Sequence, residues 1–294
     1  MGEATGISWT NATFNPWRGC TAISPGCEHC YAEALVERWG GDFTERKRTT
    51  PAYWRQPLRW NRTAAEAGTR LRVFCASLAD VFDNQVPAEW RADLWELIRA
   101  CPNLDWQLLT KRPQNIKAML PKDWGWQGWP NVWLGTTVEN NETAAQRLPH
   151  LISVPAPVHF VSCEPLLERV RLDHVMLKCG LSLDALTGYY TPPQGIGIRG
   201  YAELMQQVPA PIGQKIGWVI IGGESGNNSR AMRRDWADSL IWQCSNAGVP
   251  VWFKQIGTRR YANDWPDGIP GKGDQPEYWP EELRLRGLPR AARG

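Results

Sequence analysis

Residues 71–112 read LRVFCASLADVFDNQVPAEWRADLWELIRACPNLDWQLLTKR. The apolar run 71–76 (LRVFCA) predicts a buried strand. The stretch 88–100 predicts a helix, with Pro87 near its start, where a missing N–H costs little. The run 105–110 (DWQLLT) predicts the next strand. Strand, helix and strand in this order form a βα unit, which calls for a parallel sheet.

The alternation continues outward. Runs 132–137 (VWLGTT), 158–162 (VHFVS), 217–221 (GWVII) and 249–255 (VPVWFKQ) predict four more buried strands. Residues 7–14 (ISWTNATF) predict a weaker first one. Helices are expected over 31–39, 114–120, 141–148 and 235–247, the last closed by Gly248. Six to eight such units make an α/β fold, as a partial or complete parallel (β/α) barrel or an open doubly wound sheet. In either, chemistry collects at the C-terminal ends of the strands.

Those ends are polar. They carry Ser77 and Asp80; Thr110, Lys111 and Arg112; Thr136 and Thr137 with Glu139 and Asn140; Glu164; Glu224; and Lys254 with Gln255. Each alone could be a cap or a loop residue. Together they point to one shared site. Residues 180–213, rich in Gly, Pro, Tyr and Gln, break the rhythm and are expected as an insertion over the barrel mouth, a lid or contact arm, or a surface loop. The barrel is expected over residues 1–257, with 258–294 a polar C-terminal tail or extension.

The chain has 294 residues, with 33 Lys and Arg against 30 Asp and Glu, a net charge of +3. With 43% hydrophobic and 21% charged residues it is globular in composition, which excludes disordered, collagen-like and coiled-coil classes. No run reaches the roughly 18 apolar residues of a membrane span, so no membrane partner is expected. The start, MGEATGISWT, lacks the basic-then-apolar plan of a secretory signal, and a cytoplasmic location is expected. Eight cysteines in such a compartment are not a disulfide framework. Cys75, Cys101, Cys163, Cys179 and Cys244 are scattered, while Cys20, Cys27 and Cys30 crowd together as C-x6-C-x2-C.

That cluster reads as a metal or redox centre. Structural zinc needs four closed positions and therefore a distant fourth ligand. A 4Fe–4S cluster can take three thiolates and leave one iron open, which is what radical S-adenosylmethionine (SAM) chemistry requires. An unliganded thiol group stays as a third possibility. His29, inside the C-x2-C, is expected to point away from the metal.

The residues Trp9-Thr10-Asn11-Ala12-Thr13-Phe14-Asn15-Pro16, Gly19-Cys20, Ser24-Pro25-Gly26-Cys27 and Cys30-Tyr31-Ala32-Glu33 closely resemble the opening of a phage-associated three-Cys-motif family of radical-SAM-like proteins. Further blocks resemble it in order: Ser77-x-x-Asp80-x-Phe82, Leu109-Thr110-Lys111-Arg112-Pro113, Trp133-Leu134-Gly135 with Val138-Glu139, Glu164-Pro165-Leu166-Leu167, Val219 to Gly226, and Phe253-Lys254-Gln255. The resemblance spans roughly residues 7 to 257. It implies a barrel, a 4Fe–4S cluster on Cys20, Cys27 and Cys30, SAM as cofactor, and an electron donor such as flavodoxin or ferredoxin. Ser77, Asp80, Thr110, Lys111, Thr136, Glu139, Gly222, Gly223 and Glu224 are then the expected cofactor-binding residues, and Glu164 and Lys254 the expected catalytic ones. Ordinary radical SAM enzymes use C-x3-C-x2-C, so this loop is longer, and their Gly-Gly-Glu follows the second strand, whereas Gly222-Gly223-Glu224 follows a late one. After the second predicted strand, Asp80 is placed to pair with the SAM ammonium.

Between Arg46 and Arg72 stand eight basic residues (Arg46, Lys47, Arg48, Arg55, Arg59, Arg62, Arg70, Arg72) and one acid, Glu66, interleaved with Tyr53, Trp54 and Trp60. Charge with stacking faces suits DNA, RNA or a nucleotide substrate. The bland alternative is a solvated helix face over core tryptophans. Arg230, Arg233 and Arg234 are expected to add phosphate contacts. Two other functions fit parts of the pattern: a non-catalytic nucleic-acid-binding protein with a structural metal, and a metallohydrolase with Glu164 or Glu224 as base.

Overall fold

The computed structural model describes residues 5–209 and 211–289. Among them, seven strands form one parallel sheet in sequence order: β1 (Ala12–Thr13), β2 (Leu71–Cys75), β3 (Leu104–Thr110), β4 (Val132–Thr137), β5 (His159–Cys163), β6 (Trp218–Gly222) and β7 (Val251–Gln255). Every pairing between neighbours is parallel. The strands β1 and β7 are the two edges and do not pair with each other among the described residues, so the α/β barrel is partial.

The sheet curls around aromatic side chains. Phe74, Trp133, Phe160, Trp218 and Trp252 come from five strands and form one buried cluster with Trp9, which precedes β1. Trp9 lies 4.7 Å from Phe74 at one side of the sheet and 6.0 Å from Trp218 near the other. The Trp252 indole N–H donates to Ser8 Oγ at 3.2 Å, bringing the residues before β1 to the last strand. The close packing needs room: a Cβ on Gly135 would fall 2.4 Å from the Phe160 ring. The opposite face packs against helices in a larger apolar cluster.

The expected first strand shrinks to Ala12–Thr13, because Trp9 turns into the interior instead of pairing. Four expected helices appear as Tyr31–Arg38, Ala88–Arg99, Asn141–Ile152 and Arg234–Ala247. Gly248 closes the last in the left-handed region at φ 66°. The Asn141–Ile152 helix begins with a capping box between Asn140 and Thr143. The expected helix over 114–120 is one turn, Ile116–Met119. An unexpected helix, Gln56–Glu66, lies inside the basic stretch.

Two expectations about the periphery change. Residues 180–213 are not a lid, for none of the described ones lines the large cavity at the mouth. Ser182–Asp184 and Tyr189–Thr191 form an antiparallel sheet with Val175–Met176, and Ile198–Met205 is helical. Leu181, Leu183, Ala185 and Leu186 are buried in the main core, so this segment takes the place of a crossover helix between β5 and β6. The C-terminal segment is no loose tail either. Trp265, Trp279 and Leu283 are buried, the Phe253 N–H donates to Leu285 O at 3.0 Å, and the Gly287 N–H to Val251 O at 2.9 Å. It thereby covers the exposed edge of β7.

Candidate functional site

A cavity of about 700 Å³ opens at the C-terminal ends of the strands. Cys20, Cys27 and Cys30 all line it, as do Ser77, Asp80, Thr110, Lys111, Glu164, Gly223, Glu224 and Lys254. Trp9, Phe74 and Leu109 supply apolar wall from the barrel interior. Topology explains the gathering: parallel strands in sequence order deliver their C-terminal residues to one rim.

The cysteine loop is built from tight backbone contacts. Gly19 adopts φ 101°, and a Cβ there would meet Glu45 O at 2.1 Å, so only glycine fits before Cys20. Cys20 N–H donates to Phe43 O at 2.8 Å. Cys27 ends the short turn Pro25–Cys27, and Cys30 is the N-cap of the Tyr31–Arg38 helix. The Tyr31 hydroxyl donates to Ser77 O at 2.7 Å, which ties that helix to the end of β2.

Three strand-end carboxylates hold this loop. Asp80 accepts from the Thr110 hydroxyl at 2.7 Å, from Lys111 N–H at 3.0 Å and from Arg112 Nη1 at 3.1 Å. Arg112 in turn donates to Thr21 O at 2.9 Å and reaches Cys20 Sγ at 3.5 Å. Glu139, fully buried, pairs with Arg147 at 2.9 Å and accepts from Ser24 Oγ at 2.7 Å. Gly26 packs on the same carboxylate, where a Cβ would fall 2.5 Å from Oε1. Glu224 accepts from Arg230 N–H at 2.7 Å and bonds to His29 Nδ1 at 3.0 Å. Arg230 then donates to Pro25 O and to Glu28, each at 2.8 Å. Burial pushes the Glu224 carboxyl up, but the hydrogen bonds from Arg230 and His29 outweigh it and hold it below its ordinary value.

Asp80 and Glu224, expected as partners for SAM, therefore already serve the buried Arg112 and the half-buried Arg230 in this structure. Arg230, expected as a phosphate contact, points into the loop. His29, expected to point away from a metal, lines the cavity with its Nδ1 on Glu224. Thr136 lies outside the cavity and donates to Thr110 O at 2.7 Å, joining β3 to β4. Gly222 also lies outside it; a Cβ there would fall 2.5 Å from Glu164 Oε1. Gly223 allows backbone contact, since its Cβ would fall 1.9 Å from Ile256 O.

Glu164 and Lys254 meet as an ion pair at 2.9 Å inside the cavity. The Ser162 hydroxyl supports the carboxylate at 3.2 Å. Lys111 also lines the cavity, and its ammonium makes no ion pair among the described residues. Burial pushes the Cys20 and Cys30 thiols above their ordinary value. Cys101 and Cys244, scattered in the core, are pushed up to about 12 by burial and behave as small apolar groups.

The donor set suits a cluster with one open position: three free thiols from one loop share one cavity. They do not converge on a point, and among the described residues no three His, Cys, Asp or Glu side chains form a metal-holding group. Arg147 escaped the sequence reading, and Arg230 was read in another role; both arginines pair with strand-end acids. Their signal was a strand-end acid followed six to eight residues later by an arginine, as in Glu224 with Arg230 and Glu139 with Arg147.

The basic stretch disperses. Arg46 pairs with Asp83 and donates to Thr21 Oγ1 at 2.7 Å, as another support of the loop. Arg48 pairs with Asp93 and stacks 4.4 Å over Trp54, which also packs edge-on against Phe14. Trp60 is turned into the core and offers no stacking face. Arg70 pairs with Asp105, and Arg72 donates to Trp9 O. Lys47, Arg55, Arg59 and Arg62 remain exposed and, among the described residues, without an ion pair.

The chain belongs to the family described as Protein of unknown function (DUF5131), whose model matches residues 4–275. No curated protein matches it. Two solved structures of spore photoproduct lyase are similar, one a double mutant with bound AdoMet and dinucleoside spore photoproduct, the other a single mutant. Each aligns with a TM-score of 0.41 over 86% of this chain and 58% of its own, at 9% and 10% identity respectively. This chain thus spans a little over half the length of those proteins. No helix among the described residues is long and apolar enough to cross a membrane.

Proposed function

We propose that this DUF5131 member is a radical-SAM-type enzyme, with Cys20, Cys27 and Cys30 as ligands of a 4Fe–4S cluster and SAM bound in the mouth cavity. The observation that carries this reading is the set of three free thiols on one pinned loop, all lining a cavity of about 700 Å³ at the strand ends. When bound, the cluster and SAM supply one-electron cleavage of the sulfonium and hydrogen abstraction from a substrate.

The chain's own residues bind, orient and exclude water. Lys111, with no ion partner among the described residues, suits a ligand carboxylate or phosphate. Trp9 and Phe74 present apolar rings to a flat base. The Glu164–Lys254 pair orients a polar group of the substrate through its remaining donors and acceptors. The electron donor is a small redox protein of the flavodoxin or ferredoxin kind. The substrate class is a nucleic acid or nucleotide, supported by Arg55, Arg59 and Arg62, exposed and without an ion pair among the described residues, on the helix Gln56–Glu66 and its N-terminal flank.

Anaerobic reconstitution tests the reading. The expected product is a brown protein holding iron and sulfide in equal amounts, with a spectrum that shifts on adding SAM. Stoichiometric zinc without iron would assign the thiols to a structural site instead.

A further inference from the structure

Six residues separate Cys20 from Cys27, but only two separate Cys27 from Cys30. The longer tether makes Cys20 the thiol whose position costs most entropy to fix. It is also the thiol with a cationic donor. Arg112 Nη1 stands 3.5 Å from Cys20 Sγ, and Nη2 donates to the adjoining Thr21 O at 2.9 Å. Cys27 meets only the Ser24 hydroxyl at 3.8 Å, and Cys30 has no side-chain donor among the described residues.

Arg112 is itself held from behind. Its Nη1 bonds Asp80 at 3.1 Å, and its backbone N–H donates to Thr110 Oγ1 at 2.8 Å. Asp80 is fixed by that same Thr110 hydroxyl and by the N–H groups of Phe82 and Lys111. The guanidinium is buried, so its orientation is set before any ligand arrives. Only a fork of donors can serve sulfur, carbonyl and carboxylate at once, and a lysine ammonium cannot copy that geometry.

We infer that Arg112 is the positioning residue for Cys20: it seats the sulfur at the cavity mouth and donates a hydrogen bond to it when it ligates a cluster. This rests on the iron–sulfur reading above. A donor to a ligand sulfur stabilises the more negative, reduced cluster, so Arg112 raises the midpoint potential.

The test compares reconstituted wild type, Arg112→Gln, Arg112→Lys and Cys20→Ala. Wild type taking up iron and sulfide is the expected first result; wild type holding zinc alone would overturn both the cluster reading and this proposal. Given a wild-type cluster, Arg112→Gln should bind iron about tenfold to a hundredfold more weakly against a chelator. Its midpoint potential should fall, with Arg112→Lys between it and wild type. Iron retention and potential both equal to wild type in Arg112→Gln would overturn the proposal while leaving the cluster reading intact. Should Arg112→Gln fail to fold by circular dichroism, Arg112→Lys decides alone: weaker iron and a lower potential support the inference, and wild-type values sink it.

Discussion

The cysteine loop and the Gln56–Glu66 helix lie close in sequence and treat charge in opposite ways. In the loop's surroundings, Asp80, Glu139 and Glu224 each meet a buried or half-buried arginine, and each pair grips a different part of residues 20–30. On and beside the helix, Arg55, Arg59 and Arg62 recur at spacings of four and three, which puts them on one face without a carboxylate partner among the described residues. Like charges at those spacings repel and cost the helix a few tenths of a kcal/mol per pair. Internal pairing builds a rigid rim; unpaired charge leaves an electrostatic surface for something outside.

The sharpest way to break this contrast is to strip one partner from the most buried pair. Glu139 is fully buried and Arg147 nearly so. Arg147→Ala leaves a buried carboxylate without its cation, at a cost of about 3–5 kcal/mol. Arg59→Ala should change stability by no more than about 0.5 kcal/mol. Urea denaturation of both variants checks the difference; equal costs would mean the rim is no more rigid than the helix face.

The next effect is on metal. Cys20→Ala, Cys27→Ala and Cys30→Ala should each abolish cluster retention, whereas Cys101→Ala and Cys244→Ala should keep iron at the wild-type level. Their buried thiols lie in the apolar core, away from the cavity. Iron and sulfide assays after anaerobic desalting measure this. Loss of iron in Cys244→Ala together with retention in Cys27→Ala would contradict the assignment.

The helix face gives a smaller, salt-dependent effect. If Arg55 and Arg59 meet phosphates, changing both to Glu should weaken binding to single- or double-stranded nucleic acid uniformly across sequences. The slope of log affinity against log salt should fall by about 1 for each phosphate that is no longer neutralised. Gel shifts at several salt concentrations read this out. Unchanged binding and slope would return the face to ordinary solvation.

The two regions also differ in how far sequence alone reached. Strands β2 to β7 were legible because period and apolar content reflect burial on both faces of a parallel sheet, a local property. The three cysteines stood out in sequence because their close spacing puts all three thiols on one loop, and that loop lines one cavity. The basic stretch was legible only in part, because composition does not say which way a side chain turns: Trp60 faces the core and Arg46 faces Asp83. The carboxylate–arginine supports of the loop were hidden for a different reason. Arg230 and Glu224 were each visible in sequence, but their joint grip on Pro25 and His29 exists only after the sheet curls. Residues 180–213 read equally well as a lid, a contact arm or a surface loop because Gly and Pro mark turns in a loop and in a small antiparallel sheet alike.

The smallest predicted effect concerns Glu224 and acid. Burial raises the Glu224 carboxyl, yet Arg230 and His29 more than compensate and leave it below its ordinary value of 4.5. A carboxylate depressed on folding stabilises the native state above its unfolded pKa, and that contribution disappears as pH falls through the folded pKa. Wild type should therefore lose stability below about pH 4.5, and Glu224→Gln should lack that part of the loss while being less stable near neutrality. The same step releases Arg230 from Glu224, so residues 25–29 should exchange their amide hydrogens faster in acid than the Asp80 side of the loop does. Urea melts from pH 7 to pH 3 and exchange measured over that range test both halves. If Glu224→Gln tracks wild type at every pH, the Glu224–Arg230–His29 contact adds nothing to the rim. The contrast with the open arginine face would then rest on Asp80 and Glu139 alone.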